Sequence, residues 1–362
     1  MKKQTKPPET LRNPRSFRTA LLKWYRASAR DLPWRRTTDP YAIWMSEIML
    51  QQTRVEQGLP YYERWLKLFP TVHALAAAHE DRVLKAWEGL GYYTRARNLH
   101  KAAKVVARDR HGEFPATAEE WQSLPGVGRY TAGAIASIAY GERVPVLDGN
   151  VIRVLSRLHD IDACTDDAPV RDGLWKLAEA LVPAKHPGDF NQAMMELGAR
   201  ICTPKSPQCG SCPVAKHCAA LAAGVQEERP VRKAKQTTPR HEMVAAAIER
   251  DGRYLLVKRP ATGLLGGMWE FPCGKVRPGE THAHTLQREL HEEFGLTVKV
   301  GGLITCVQHA YTHFKVTLNV YACAIVSGAP APTSHDDVQW VARAQFRRYA
   351  LPKVVHKFID LL

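Results

Sequence analysis

The sequence contains no uninterrupted run of about 18 apolar residues, so no part of it can cross a bilayer as a helix. Met1–Glu9 is polar and proline-bearing, without the apolar centre that a signal peptide needs, and reads as a disordered N-terminus. Eight cysteines invite a disulfide reading, but their distribution does not support one. Of the 8 cysteines, four cluster within 202–218, and Cys164, Cys273, Cys306 and Cys323 are scattered among apolar neighbours. That usage fits a reducing, cytoplasmic setting with no membrane partner. Negative charge is also short, at 36 acidic against 51 basic side chains, a formal charge of +15. From His241 onward 14 basic face 11 acidic residues, which leaves 37 minus 25, or +12, on the first 240. A polyanionic partner therefore belongs mainly to the first part of the chain. At 362 residues the chain is too long for one simple core and reads as two domains.

What is present centres on Leu124-Pro125-Gly126-Val127-Gly128-Arg129-Tyr130-Thr131. Gly126 and Gly128 allow a sharp turn whose N–H groups reach an anion, and the small residues from Thr131 to Ser137 continue as a closely packed helix. The helix dipole favours a phosphate there, and Arg129 and Thr131 can add donors. This is the helix-hairpin-helix pattern of sequence-independent DNA binding; an ordinary glycine-rich turn is the plainer reading. Asp148 then follows the apolar run Val144–Leu147 and precedes a periodic segment, where a helix N-cap belongs. Capping alone explains it, but a carboxylate held there can also face a developing cation.

Upstream, Asp39-Pro40 starts a helix on which Ile43, Glu47 and Leu50 share a face. A glutamate facing solvent is the common case. One facing an apolar pocket has its pKa raised and stays loaded with a proton. Helical segments are expected over 17–30, 60–69, 72–78, 80–87, 94–108, 118–123, 170–181 and 190–201, an all-α first part. Cys202, Cys209, Cys212 and Cys218 suit zinc or an iron–sulfur cluster. With only one close pair among them, a [4Fe-4S] cluster is favoured over zinc. Residues 226–240 lack periodicity and read as a linker. Beyond it strands are expected over 243–248, 254–257, 303–309, 314–325 and 338–341, with helices over 281–294 and 352–362, so the second part is α+β.

These residues together carry a family likeness. Leu32-Pro33-Trp34-Arg35, the run from Trp44 to Val55, Gly89-Leu90-Gly91-Tyr92-Tyr93, the hairpin with Asp148, and the four cysteines resemble the adenine DNA glycosylases, which remove adenine mispaired with 8-oxoguanine. The resemblance implies a multi-domain chain. Residues 10–225 would form an all-α helix-hairpin-helix glycosylase domain with an iron–sulfur loop at 202–218. After the 226–240 linker, 241–362 would form an α+β Nudix-like domain that recognises 8-oxoguanine. The implied substrate is double-stranded DNA with A:8-oxoguanine or A:G mispairs, bound by a monomer associated with the nucleoid.

By the same resemblance Glu47 is the acid that protonates adenine N7, and Asp148 stabilises the sugar cation. Tyr130 and Asn150 position that centre, and Arg35 and Leu50 line the adenine pocket. Gln52 and Tyr92 wedge into the duplex, and Thr53 and Leu90 touch the 8-oxoguanine. Bifunctional relatives of the endonuclease III type carry a lysine where Tyr130 stands; without its amine no Schiff base forms. Tyr311-Thr312-His313 falls where the family has a Phe-Ser-His loop that reads 8-oxoguanine.

One motif departs from a purely DNA-reading domain. Gly274, Glu280, Arg288-Glu289-Leu290, Glu292-Glu293 and Gly295-Leu296 complete a Nudix box, the pattern of hydrolases that cleave nucleoside diphosphate linkages. Glu289, Glu292 and Glu293 at helical spacing are candidates for Mg²⁺ or Mn²⁺ and for residual diphosphatase activity; an inherited acidic face explains them equally. The rival functions are a bifunctional glycosylase, a diphosphatase with a DNA-binding module, and a non-catalytic lesion sensor. Tyr130, the location of the charge excess, and the pairing of Glu47 with Asp148 oppose them in turn.

Overall fold

The computed structural model describes residues 11–234 and 237–362; the N-terminal stretch 1–9 lies outside the described residues. The chain divides into two compact units, residues 1–73 with 102–235, and residues 74–101 with 236–362. A single cut in the 226–240 segment, as the sequence suggests, does not describe this division. Residues 74–101 join the C-terminal residues through specific ties: Leu351 N–H donates to Glu88 Oε1 at 2.7 Å, Lys85 Nζ to the Tyr349 carbonyl at 2.9 Å, and Lys258 pairs with Asp81 at 2.6 Å.

The helices of the first two hundred residues are α1 (Pro14–Ser28), α2 (Pro40–Met49), α3 (Val55–Leu68), α4 (Val72–Ala77), α5 (Glu80–Trp87), α6 (Thr94–Asp109), α7 (Ala118–Gln122), α8 (Arg129–Ala139), α9 (Gly149–Leu158), α10 (Ala168–Leu181) and α11 (Pro187–Arg200), with a short α12 (Ala219–Ala222) after the cysteine loop. The start of α2 follows from its sequence: Pro40 occupies the first turn and the Asp39 carboxylate accepts from Tyr41 N–H at 3.0 Å. Its surroundings do not. Every residue from Tyr41 to Met49 is buried, so Glu47 sits on a helix enclosed on all sides rather than on one apolar face. The main core of this unit joins Phe17 and Leu21 of α1, Val151, Val154 and Leu155 of α9, and Phe190 and Leu197 of α11. Each such side chain stabilises the fold by roughly 1.5–3 kcal/mol. The segment read as a linker is pinned at its start, where Arg157 Nε donates to the Gln226 carbonyl at 2.7 Å and Thr165 N–H to the Val231 carbonyl at 2.9 Å.

The second unit carries β1 (Arg240–Arg250), β2 (Arg253–Lys258), β3 (Trp269–Glu270), β4 (Cys273–Lys275), α13 (His282–Phe294), β5 (Thr297–Ala310), β6 (Lys315–Ser327) and β7 (Asp337–Ala342). The sheet order is β3-β2-β1-β6-β5, with β4 paired to β1 and β7 to β2; β1 and β6 run parallel and the other pairs antiparallel. Asp251 and Gly252 have φ of 52° and 71°, both left-handed, as a two-residue hairpin turn requires. The period of two along β1 sorts the core. Val244, Ala246 and Ile248 meet Leu286, Leu290 and Phe294 of α13, and Ala245 and Ala247 join the cluster of Phe271, Phe346 and Phe358.

The expected helix over 352–362 is absent. Two separate 3₁₀ turns, Val355–Lys357 and Ile359–Leu361, stand in its place. Phe358, at φ −133° and ψ −12°, departs from helical geometry between them, while Val354, Val355 and Phe358 all bury themselves in the core. Burial against the sheet outweighs the helical pattern. The strands β3 and β4 were not anticipated, because Pro272 interrupts the stretch that contains them.

Candidate active site

Seven residues singled out from the sequence, Arg35, Glu47, Leu50, Thr53, Tyr130, Asp148 and Asn150, line one cavity of about 160 Å³ in the first unit. They come from the 3₁₀ turn Pro33–Arg35, from α2 and the turn after it, from the first turn of α8, and from the start of α9. At its centre the Tyr130 hydroxyl donates to Glu47 Oε2 at 2.7 Å. Burial pushes the Glu47 pKa up to about 7; the Tyr130 hydrogen bond pulls against it, Asp148 adds repulsion, and Arg35 opposes. Burial likewise raises the Tyr130 phenol well above its ordinary value, with Glu47 and Asp148 adding to the shift. Tyr130 is thus a fixed donor. A carboxyl that keeps its proton near neutrality, aimed into a cavity, is built to act as a general acid.

Asp148 caps α9. Its Oδ1 accepts from Val151 N–H at 2.7 Å and its Oδ2 from Asn150 Nδ2 at 2.7 Å. Burial raises its pKa above the usual carboxylate range, while those hydrogen bonds and Arg153 favour the charged form. Capping and a place in the cavity are therefore both true of this residue.

Sequence reasoning missed Glu196. It is buried on α11 and lines the same cavity, where it accepts from Arg30 Nε at 2.8 Å and Nη2 at 2.7 Å, and from Arg35 Nη2 at 2.7 Å. Burial alone would raise its pKa, but the two arginines more than offset this and hold it down at about 2. It keeps a full negative charge and fixes the Arg35 guanidinium at the cavity wall. The available signal was one acid inside the apolar stretch Ala193-Met194-Met195-Glu196-Leu197.

The remaining motifs also take defined places. Gly126, at φ 76°, needs the left-handed backbone of the turn. Gly128, the N-cap of α8, does not: its φ is −87°, and an added Cβ would meet nothing within 4 Å. The open space before the α8 amides suits the close approach of a phosphate. Two expected donors are engaged elsewhere. Thr131 is buried and its hydroxyl accepts from Gln51 Nε2 at 3.1 Å, tying two motifs together instead of facing an anion. The Arg129 guanidinium lies 4.0 Å from the centre of the Trp175 ring. Gln52 and Tyr92, the wedge candidates, are exposed and hold left-handed φ values of 57° and 49°, a conformation uncommon for such residues and often found at functional turns.

Helix α9 leads from Asp148 to the cysteine loop. Arg153 donates to Asn150 Oδ1 at 2.8 Å, to the Gly198 carbonyl at 2.7 Å and, through Nε, to the Cys202 carbonyl at 2.6 Å. One turn on, Arg157 Nη1 reaches Cys202 Sγ at 3.3 Å and the Thr203 carbonyl at 2.7 Å. Gly198 makes this approach possible, since a Cβ there would lie 2.6 Å from Asn150. Cys202, Cys209, Cys212 and Cys218 line a small common cavity. Among the described residues no three His, Cys, Asp or Glu converge on a point that would hold a single metal ion. Four thiols lining one space suit a group held by sulfur ligands. Removing the Arg153 bridge by Arg153→Met should lower both cluster retention and base release by about 10- to 100-fold, as for other outer-shell partners of metal sites. Visible absorbance and single-turnover rate measured on one preparation check this, and a full cluster with unchanged turnover would refute it.

In the second unit Tyr311, Thr312 and His313 form the tight connection between β5 and β6, closed by Tyr311 N–H donating to the Phe314 carbonyl at 2.8 Å. Thr312 and His313 are exposed, whereas the Tyr311 ring stacks on Phe314 at 4.7 Å and packs against the core. The Tyr92 hydroxyl donates to Thr312 Oγ1 at 2.7 Å, and Leu90 is buried. The Nudix-box carboxylates lie on α13 as expected but do not share one point. Arg288 takes Glu280 at 2.7 Å, Glu289 at 2.8 Å and Glu292 at 3.3 Å, while Glu293 turns toward His335 at 3.9 Å.

The comparisons with known proteins agree with this arrangement. The model of the HhH-GPD superfamily of base excision DNA repair proteins matches residues 45–180, the iron-sulfur binding domain of endonuclease III matches 202–218, and a NUDIX domain matches 243–361. Among solved structures, a thermostable thymine-DNA glycosylase superposes with a TM-score of 0.53 at 30% identity, over 58% of this chain and 97% of that one. Fold and site define a base-excision DNA glycosylase that carries an iron–sulfur cluster and a C-terminal Nudix-like domain. The adenine DNA glycosylase of Rattus norvegicus is 39% identical over 94% of this chain and 77% of its own length, and that of Homo sapiens 39% identical over 94% and 73%. The chain belongs to the adenine DNA glycosylase family. Among the described residues no helix is long and apolar enough to cross a membrane.

Proposed function

We propose that the enzyme removes adenine opposite 8-oxoguanine or guanine by hydrolysing the N-glycosidic bond, without cleaving the strand. The observation that carries this reading is the meeting of Glu47, its proton held near neutral pH, with Asp148 in one cavity where Tyr130 replaces any lysine. The adenine must first leave the duplex, at a cost of roughly a few kcal/mol. Gln52 and Tyr92 fill the gap and Thr53 meets the opposing base, whereas Leu90, expected to touch that base, is buried and supports the turn. Arg35, oriented by Glu196, and Leu50 hold the extruded adenine. Glu47 then delivers its proton to N7, turning a poor leaving group into a neutral one, and Asp148 faces the cation developing on the sugar. With no amine at position 130 the abasic product is released unbroken.

Thr312 and His313 are the side chains offered to 8-oxoguanine; Tyr311 supports the loop from within. Cys202, Cys209, Cys212 and Cys218 are assigned a [4Fe-4S] cluster, which when bound ties down the loop bearing the exposed Lys205 and Lys216. A divalent-ion role for Glu289, Glu292 and Glu293 is not favoured, because Arg288 already neutralises two of them; we read that face as an ion-pair network. The enzyme is taken to act as a monomer on cytoplasmic, nucleoid DNA.

The test offers duplexes with A opposite 8-oxoguanine, G and T, and a duplex with a damaged pyrimidine. Abasic product is expected from the first two, with strand breaks only after alkali. Iron and sulfide in the proportion of a [4Fe-4S] cluster, without zinc, are expected in anaerobically purified protein. Release of the pyrimidine, breaks without alkali, or stoichiometric zinc would each overturn the corresponding part.

A further inference from the structure

The excess of positive charge lies in the first 240 residues, yet the second unit gathers cations around one open cleft. Arg240, Gln308, His309, Lys315 and Thr317 line it, and no lining residue is acidic. Arg240 and Lys315 are register partners on the parallel pair β1 and β6, so their side chains leave the sheet together. Two further lysines come from the C-terminal segment. Lys357 Nζ donates to the Gln308 carbonyl, which brings its ammonium to the wall of the cleft. Burial, followed by the positive charges of Lys357 and Lys353, holds the His309 pKa below its ordinary value, so both ammoniums lie within electrostatic reach of the imidazole. Arg240, Lys315, Lys353 and Lys357 are all exposed. The acid two residues along β1, Glu242, is taken up by His282 at 2.9 Å and does not neutralise them.

The cleft adjoins the loop between β5 and β6. Ala310 forms part of its wall, and the His309 ring meets the Tyr311 ring edge-on at 4.6 Å. We propose that Arg240, Lys315, Lys353 and Lys357 form a backbone-phosphate site of the second unit, which holds a DNA strand so that the side chains of Thr312 and His313 reach a base. Four exposed cations that pair with no acid among the described residues are at their cheapest beside a polyanion, and phosphate contacts fix register while carrying no sequence information. This inference rests on DNA being the substrate, not on which mispair is excised.

The experiment uses the full-length protein with its cluster, and a triple variant Lys315→Gln, Lys353→Gln, Lys357→Gln. Binding is measured across a salt series with an A:T duplex and an A:8-oxoguanine duplex. Each lost phosphate contact should reduce the slope of log K against log salt by about 0.9, so the triple variant should lose about 2 to 3 units of slope and ~10-fold or more in affinity. The loss should be equal for both duplexes. Because Lys357 also ties Gln308, the double variant Lys315→Gln, Lys353→Gln is run alongside and should lose about 2 units with an unchanged melting temperature. An unchanged slope in both variants overturns the proposal, as does a loss confined to the 8-oxoguanine duplex, which would make the lysines readers of the base. If the wild type fails to prefer 8-oxoguanine at all, the mispair reading falls while the salt slope on A:T still decides the phosphate site.

Discussion

Glu47→Gln is expected to lower single-turnover adenine release by about 10²- to 10⁴-fold, with duplex affinity retained. Glutamine has nearly the shape of the acid it replaces and can still accept from the Tyr130 hydroxyl, which stands 2.7 Å from Glu47 Oε2. It has no proton to deliver. Because the substitution conserves side-chain volume, folding should be little affected. The wild-type rate should carry the same signature in its pH dependence. A general acid works only while protonated, so with the Glu47 pKa at about 7 the rate is full below that value and falls as pH rises through it. Glu47→Gln should erase this alkaline limb along with the activity. Wild-type turnover in the variant would remove Glu47 from the chemistry.

Asp148→Asn should cost about 10²- to 10³-fold in the same assay, because it deletes the anion proposed to face the sugar cation. The substitution separates the two roles of this residue. Asparagine caps a helix about as well as aspartate, and its carbonyl oxygen can accept from Val151 N–H in place of Oδ1. The melting temperature should therefore stay near that of the wild type while turnover collapses. The wild-type acid limb has the opposite sign to that of Glu47. Asp148 acts when ionised, and its raised pKa means that activity is lost as pH falls through it. A variant that excised adenine normally would leave Asp148 with capping alone.

The two limbs require Glu47 protonated and Asp148 ionised at the same pH, and the surroundings of each residue explain how. Both carboxyls are desolvated, but Asp148 receives a backbone N–H and an amide, whereas Glu47 accepts from the Tyr130 phenol. Two similar groups are thereby pushed toward different protonation states. Glu196, a third carboxyl in the same cavity, is held ionised by two arginines and fixes the position of Arg35.

Much of this was legible along the chain because it depends on neighbours in sequence. The Asp39-Pro40 start of α2, the Asp251-Gly252 turn, the alternation along β1, the glycine hairpin before α8, the cap at Asp148 and the cysteine spacing all follow from residues a few positions apart. Motif resemblance could then gather Arg35, Glu47, Tyr130 and Asp148 into one site. Other features had no local trace. That α2 is enclosed on every side depends on helices distant in sequence, and with it the Glu47 pKa. Glu196 meets arginines 161 and 166 positions away. The bridge from Asp148 through Asn150 and Arg153 to Cys202 crosses 49 positions at its last step. Thr131 looked like a phosphate donor until its burial beside Gln51 was seen, and 352–362 looked helical until its apolar residues were placed against the sheet.

The sequence by itself determined the family, the helical and α+β halves, the candidate acid and anion, and the candidate cluster ligands, since caps, turns, periodicity and ligand spacing are short-range properties. Only the tertiary structure decided how burial and ion pairs bias those groups, which arginine and acid orient them, how the cysteine loop is tied to α9, and that residues 74–101 belong with the C-terminal unit. The physical reason is that desolvation and ion pairing depend on everything packed around a group, and in a chain of this length most of that packing comes from residues far away in sequence.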